Sequence, residues 1–392
     1  AARDIYPSEA LQFDKAKVLG FVTMYGTINS HTAVLARTKG IPAVIGLGES
    51  LKEEYDGKTI IIDGYEGKIY IEPDYATLTK MRERKDANLR HVRNLERLKG
   101  KENITQSGQR IDICANVGTR EDIENVLRSD AGGIGLFRSE FLYMEMGSKL
   151  PSEEQLFQVY KLAAESMGAN RVVVRIADFG GDKMVESVDL GEQANPAIGL
   201  RGIRIMMEKE ELFLPQFRAI LRASALGNVS IMFPMITSME EVAAAKALLE
   251  KAKKQLKDEK TAYNENIEIG VMIETPAAVM ISRELARRVD FLSLGTNDLS
   301  QYTLAMDRQN PLLRKKYNDH HPAVLRMIQM VIEAGHAENR RVCICGELAA
   351  DTALTEEFLR MGVDCLSVVP ACILPVRKAL RQVNLSGDDK GA

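Results

Sequence analysis

Tryptophan is absent from the 392 residues, aromatic side chains make up only 6%, and cysteine occurs five times. Cys343 and Cys345, one residue apart, have neither the spacing of a zinc ribbon nor the framework of a secreted mini-protein. A reducing, cytoplasmic setting is the expectation. No run of 18 apolar residues occurs and no apolar signal-peptide core follows the opening AARDIYPSEA, so no membrane-spanning helix or secretory leader is expected. An excess of one charge is lacking too: 52 Lys+Arg against 55 Asp+Glu leave −3, and no basic block is interleaved with aromatics. Nucleic acid and anionic membrane are therefore not expected partners, and any anion must be bound locally. What is present, 45% hydrophobic and 27% charged residues, describes a core-forming chain of two or three domains at roughly 150 residues each.

Residues 1–77 read as a small α/β module of short strands and turns around one helix: KVLGFVTMYG, SHTAVLARTKG, IPAVIG, KTIIIDG and GKIYIEP. The run LTKMRERKDANLRHVRNLERLKGKEN follows, densely charged, with scattered apolar positions at helical spacing and no proline, and reads as a solvated helical linker over 78–109. From 110 to 392 the pattern changes to short apolar, β-branched runs separated by helical stretches. Eight such runs occur: IDICANV, GGIGLFR, RVVVRIADF, VSIMFPM, EIGVMIE, FLSLGTND, RVCICGE and CLSVVPA. Eight strands over a segment of this size predict a (β/α)8 TIM-type barrel in an α/β chain. A doubly wound open sheet is the alternative, but no glycine-rich dinucleotide fingerprint follows the first run.

Reactive groups of such barrels sit where strands end. The ends, in order, carry Asn116, Arg138, Arg175 with Asp178, Met235, Glu274, Asn297 with Asp298, Cys345 with Glu347, and Pro370. Glu274 and Asp298 close adjacent strands, and two converging carboxylates suit a hard cation such as Mg2+; each could instead cap the helix that follows. Arg138, Arg175 and Arg308 face one rim, where guanidinium forks bind phosphate and carboxylate oxygens, with Lys183 as a further cation. Cys345, two residues beyond Cys343, lies on the same side of its strand and nearer the rim. It is either a small buried hydrophobe or a proton donor to carbon. His31 stands at the start of a helical run, structural or exposed by the commoner reading, yet able to accept a phosphoryl group.

The segments FRSEFLYM, RIADFGGDK, NPAIGLRGIR, IMFPMI, GVMIETPAA, LGTNDLSQYTLAMDR, CGELAAD and SHTAVLAR resemble, in this order, enzyme I of the bacterial sugar phosphotransferase system, the phosphoenolpyruvate-protein phosphotransferases. The resemblance covers nearly the whole chain. It implies phosphoryl transfer from phosphoenolpyruvate to His31, release of pyruvate, and onward transfer to a histidine-containing carrier protein. It further implies Glu274 and Asp298 as Mg2+ ligands, Arg138, Arg175, Asn297 and Arg308 as phosphoenolpyruvate ligands, Cys345 as the acid that protonates the enolate, and a homodimer built through the barrel. A non-catalytic phosphoenolpyruvate sensor and a dikinase-like enzyme are the alternatives. Two departures stand out: Gly26-Thr27-Ile28-Asn29-Ser30-His31 where the family has Gly-Gly-x-Thr-Ser-His, and Ile176 where it has Thr after Arg175. With only thirty residues before His31, the histidine module is expected to be partial and its carrier-docking segment absent.

Overall fold

The computed structural model describes residues 1–3, 5, 17–26, 36, 41–181, 183, 185, 188–310, 312–313 and 316–386. His31, Thr27, Ile28, Asn29 and Ser30 lie outside the described residues. The chain divides into two compact units, Ala1–Asn94 and Leu95–Ala392. In the first, β1 (Phe21–Val22) pairs in parallel with β2 (Ala43–Val44), and β3 (Ile60–Asp63) forms an antiparallel hairpin with β4 (Lys68–Ile71). Asp63 fixes that hairpin's turn, its carboxylate accepting from the backbone N–H of Tyr65 at 3.0 Å and of Glu66 at 3.2 Å, the local bonding that makes aspartate a turn residue. Ile5, Phe21, Ala36 and Ile41 bury a small core. The charged run that follows forms one helix over Tyr75–Glu96, with Leu95 its one buried side chain. Residues 97–110 then continue as turns around an isolated bridge between Ile104 and Arg110.

All eight apolar runs of the second unit are strands: β5 (Asp112–Val117), β6 (Ile134–Arg138), β7 (Val172–Arg175), β8 (Val229–Phe233), β9 (Ile269–Ile273), β10 (Phe291–Leu294), β11 (Arg341–Ile344) and β12 (Cys365–Val368). Each pairs in parallel with its sequence neighbours, and β12 closes the ring on β5. The (β/α)8 barrel read from the sequence is therefore the fold. Buried on both faces, these strands lack polar alternation, as parallel strands do. Ile113, Val174, Ile231, Val271 and Leu292 face the helical layer, while Leu136, Val173, Met232, Met272, Phe291 and Cys345 form a separate cluster inside the barrel.

The helices start where their caps dictate. Thr119 with Asp122, Ser152 with Gln155, and Ser238 with Glu241 are capping boxes that begin the helices Arg120–Ser129, Glu153–Met167 and Met239–Asp258. After β9, Thr275 caps the next helix, its hydroxyl accepting from Ala278 N–H at 3.1 Å, with Pro276 in the first turn. Two short helices follow, Pro276–Met280 and Ser282–Ala286, separated where Ile281 leaves helical backbone angles. Among the described residues no helix is long and apolar enough to cross a membrane.

Candidate active site at the C-terminal mouth of the barrel

Every second residue of a barrel strand points inward, so the last inward positions of β7, β9 and β11 and the residues just beyond converge at one mouth. Arg175, at the end of β7, is 3% exposed. Its guanidinium donates to the Glu140 carboxylate through Nη2 and lies 3.6 Å from Asp178 and 3.9 Å from Glu274. Asp178, fully buried, accepts from Lys183 Nζ at 2.6 Å and from Arg201 Nη2 at 2.9 Å. Arg201 reaches on to Asp298 at 3.6 Å and donates from Nη1 to the Tyr302 hydroxyl at 2.9 Å. Four carboxylates, Glu140, Asp178, Glu274 and Asp298, thus share three cations, Arg175, Lys183 and Arg201.

That imbalance appears in the protonation of the acids. Burial opposes ionisation of Asp178, but Lys183, Arg201 and Arg175 outweigh it and hold its carboxyl far below the usual range. Glu274 goes the other way: burial, then the charge of Asp298, push it up to about 7, with Arg175 the largest opposing influence. Glu274 is pinned where it stands by the backbone N–H of Met235, which donates at 2.7 Å; Met235 adopts φ 56° to deliver it, a left-handed conformation unusual for a side-chain-bearing residue. Helix capping does not account for either carboxylate. Thr275 caps the helix after Glu274, and Asp298 lies inside the helix Thr296–Leu304, which has no side-chain cap.

Two buried carboxylates that repel one another are the donor chemistry of a hard divalent cation. Among the described residues no three His, Cys, Asp or Glu side chains converge into a closed cage, so an ion at Glu274 and Asp298 would draw its other ligands from water and from substrate oxygens. Unspent donors face the same cluster: Nε of Arg175 and Nε of Arg201 have no hydrogen-bond partner. With a divalent cation added, the mouth changes from a net anionic to a net cationic pocket, which then suits a small, multiply charged anion.

Cys345 is 3% exposed just past the end of β11. The Ser293 hydroxyl donates to its sulfur at 3.2 Å, and the sulfur lies 3.4 Å from the carbonyl oxygen of Leu294. Burial pushes the thiol up to about 11; the Ser293 hydrogen bond lowers it, Glu274 raises it, and Arg175 and Arg138 pull it down. The thiol therefore carries its proton at neutral pH. Asn116, at the end of β5, is a brace for this residue: its side-chain amide donates to the carbonyl of Cys345 at 2.9 Å and of Ser367 at 3.0 Å.

The structure thus brings Arg175, Glu274, Asp298 and Cys345 together, with Arg138 near enough to act on the Cys345 thiol. Asn297 stands at the edge, its amide exchanging hydrogen bonds with Glu347, 3.1 Å to the carboxylate and 2.8 Å from the backbone N–H. Arg308 lies in the loop beyond that helix, its backbone N–H donating to Gln301 at 3.2 Å. Ile176 is buried in the outer core, where it makes an apolar contact. Glu140 and Arg201 were not singled out from the sequence, although both lie within motifs noted there; the visible signal was a charged residue amid small and apolar ones, FRSEF and GLRGIR. A cavity of roughly 230 Å³ opens on Met235, Thr275 and Tyr302 but touches none of Arg138, Asp298 or Cys345, so it is not the anion pocket.

The class that fold and site define is a parallel β/α barrel whose C-terminal mouth gathers a buried carboxylate pair, arginines and a buried thiol. Residues 92–385 match the model of the PEP-binding domain of PEP-utilising enzymes, and residues 1–67 that of their mobile domain. Relatives described as phosphoenolpyruvate-protein phosphotransferase include those of Staphylococcus carnosus, 40% identical over 98% of this chain and 67% of the relative, and of Haemophilus influenzae, 41% identical over 98% and 66%. That of Bacillus subtilis is 39% identical over 98% and 67%. The chain belongs to the phosphoenolpyruvate-protein phosphotransferase family of PEP-utilising enzymes, and it spans about two thirds of the length of these relatives. A solved citrate lyase from Burkholderia xenovorans aligns over 71% of this chain and 78% of its own at 19% identity and a TM-score of 0.42, too distant to add to the barrel seen directly.

Proposed function

We propose that the barrel binds phosphoenolpyruvate with Mg2+, that His31 accepts its phosphoryl group, and that pyruvate leaves. Transfer onward to a histidine-containing carrier protein is the corresponding proposal for the protein of which relatives span a greater length. The observation that carries this reading is a protonated, buried thiol at the mouth that also holds arginines and an acid pair. Arg138, Arg175, Asn297 and Arg308 are assigned to the substrate, and Glu274 and Asp298 to the metal. Residues 1–77 are assigned as the phosphohistidine module, 78–109 as its connection, and 110–392 as the substrate-binding barrel.

Phosphoryl transfer demands little covalent chemistry of the protein and much charge stabilisation. Glu274 and Asp298 would hold a Mg2+ ion, which would supply positive charge to offset the negative charge that develops during transfer. Arg175 and Arg138 bind and orient the anion, and Asn297 holds an oxygen at the edge. As the P–O bond to the enolate breaks and the bond to a His31 ring nitrogen forms, the enolate is left with a nucleophilic methylene carbon. Cys345 gives that carbon its proton, pyruvate forms, and the thiolate is reprotonated from solvent. A thiol pushed up to about 11 keeps its proton until that moment.

A cytoplasmic location and a homodimer complete the proposal; the first is supported by five free thiols, and sedimentation equilibrium reads the second. The test of the acid is Cys345→Ala. Turnover of phosphoenolpyruvate to pyruvate is expected to fall by at least about 100-fold, with Mg2+-dependent phosphoenolpyruvate binding unchanged in calorimetry. Undiminished turnover would overturn the assignment.

A further inference from the structure

Three thiols lie side by side on the barrel's inner wall, apart from the mouth and without a part in phosphoryl transfer. Cys343 of β11 and Cys365 of β12 are register partners, and their sulfurs are 3.0 Å apart. Cys114 of β5 hydrogen-bonds Cys365 from the other side. Cys343 precedes Cys345 by two residues, so it points into the same interior about 7 Å closer to the N-terminal end of the barrel.

The strand pairing sets the geometry for a bridge. Partners on adjacent strands stand about 4.7–4.9 Å apart at the backbone, inside the roughly 4.4–6.8 Å at which a disulfide closes. The sulfurs need approach by only about 1 Å to bond, without separating the strands.

The pair is also asymmetric. Cys343 is half-buried, whereas Cys365 and Cys114 are 9% and 6% exposed. The Cys365 hydrogen bond favours the Cys343 thiolate and Arg171 adds to it, while burial leaves Cys343 above its ordinary value. Cys365 is driven much further up, its Cys114 hydrogen bond lowering it but the Cys343 hydrogen bond and burial prevailing. Cys343 is thus the more accessible sulfur of the pair, placed to meet an oxidant first, and Cys365 is placed to resolve it.

We propose that Cys343 and Cys365 are an oxidation site at which hydrogen peroxide converts the dithiol to a disulfide. The Cys343 thiolate attacks a peroxide oxygen, the O–O bond breaks, and with the thiol's proton one water leaves, giving a sulfenic acid. Cys365 sulfur then attacks Cys343 sulfur, the S–S bond forms, and the sulfenic oxygen leaves as a second water. Two thiols lose two electrons in all, and the peroxide gains them. Because both thiols sit above their ordinary values, the bridge forms slowly, under sustained peroxide exposure. The proposal stands on the barrel geometry and does not depend on the phosphotransferase reading.

The reduced full chain is held in hydrogen peroxide at one fixed concentration in excess over protein, then alkylated in denaturant, digested without reductant and sequenced by tandem mass spectrometry. The titre of free thiols is expected to fall from five to three, with Cys343 joined to Cys365, at a rate independent of protein concentration and reversed by dithiothreitol. Cys372→Ser is expected to leave the bridge unaffected, and Cys343→Ser to abolish it. Should Cys343→Ser not fold, judged by circular dichroism, the map of the unmodified chain decides. Oxidation falling first on Cys345 or Cys372, a Cys114 to Cys365 bridge, or five thiols remaining would each overturn the assignment.

Discussion

At the scale of single residues, the site is governed by how few cations its buried acids share. Asp178 is held by Lys183, Arg201 and Arg175, and its depressed carboxyl is a statement about folding as well as chemistry. A group lowered in the folded chain contributes stability that is present above its unfolded value and lost as the pH falls through the acid range. Asp178→Asn removes the carboxylate that accepts from both Lys183 and Arg201, and breaking such a buried pair costs about 3–5 kcal/mol. Urea denaturation at pH 7 is expected to show that loss. The gap between variant and parent is expected to shrink by about 1.4 kcal/mol per pH unit below roughly 3.9, where only the parent still forgoes a proton. A gap that stays constant from pH 7 to pH 3 would mean that the ion cluster does not hold Asp178 ionised. Cys345 shows the complementary effect, since burial there preserves a proton instead of removing one.

At the scale of elements, the site depends on close approach between the end of β11 and the helix Thr296–Leu304, which carries Asn297 and Asp298. Gly346 makes this possible. A Cβ on Gly346 would meet the Thr296 hydroxyl at 1.9 Å and the Thr296 backbone nitrogen at 2.6 Å, and backbone cannot yield as a side-chain tip can. Gly346→Ala is therefore expected to destabilise the chain by about 1–3 kcal/mol, read as a lower thermal midpoint, and to weaken Mg2+-dependent phosphoenolpyruvate binding because Asp298 is displaced. Unchanged binding would show that the helix start does not position the acid pair. All eight strands were legible in the sequence because parallel barrel strands are apolar on both faces and stand out as unbroken runs. The break at Ile281 had no proline or glycine to announce it. Arg201 was not recognised as part of the site because it follows β7 by 26 residues and returns to the mouth only through the loop that the barrel folds over it.

At the scale of the whole molecule, two compact units of unequal size are joined within one charged helix. Tyr75–Glu96 carries many Lys and Arg residues and buries only Leu95, whereas the barrel unit holds the large core. Limited trypsin digestion is expected to cut first between Lys80 and Arg97 and to leave a protease-resistant barrel fragment, since cleavage follows local opening where few apolar contacts hold the chain. First cuts within the barrel strands would contradict that division. The barrel's catalytic candidates could be read from strand ends alone, because the fold itself collects those ends at one mouth. The central claim, that His31 accepts the phosphoryl group, is tested most directly by labelling. Incubation with phosphate-labelled phosphoenolpyruvate and Mg2+ is expected to leave acid-labile, base-stable phosphate on the chain, and His31→Ala is expected to abolish it. Label that persists in His31→Ala, or no label while phosphoenolpyruvate binding remains measurable by calorimetry, would contradict the account.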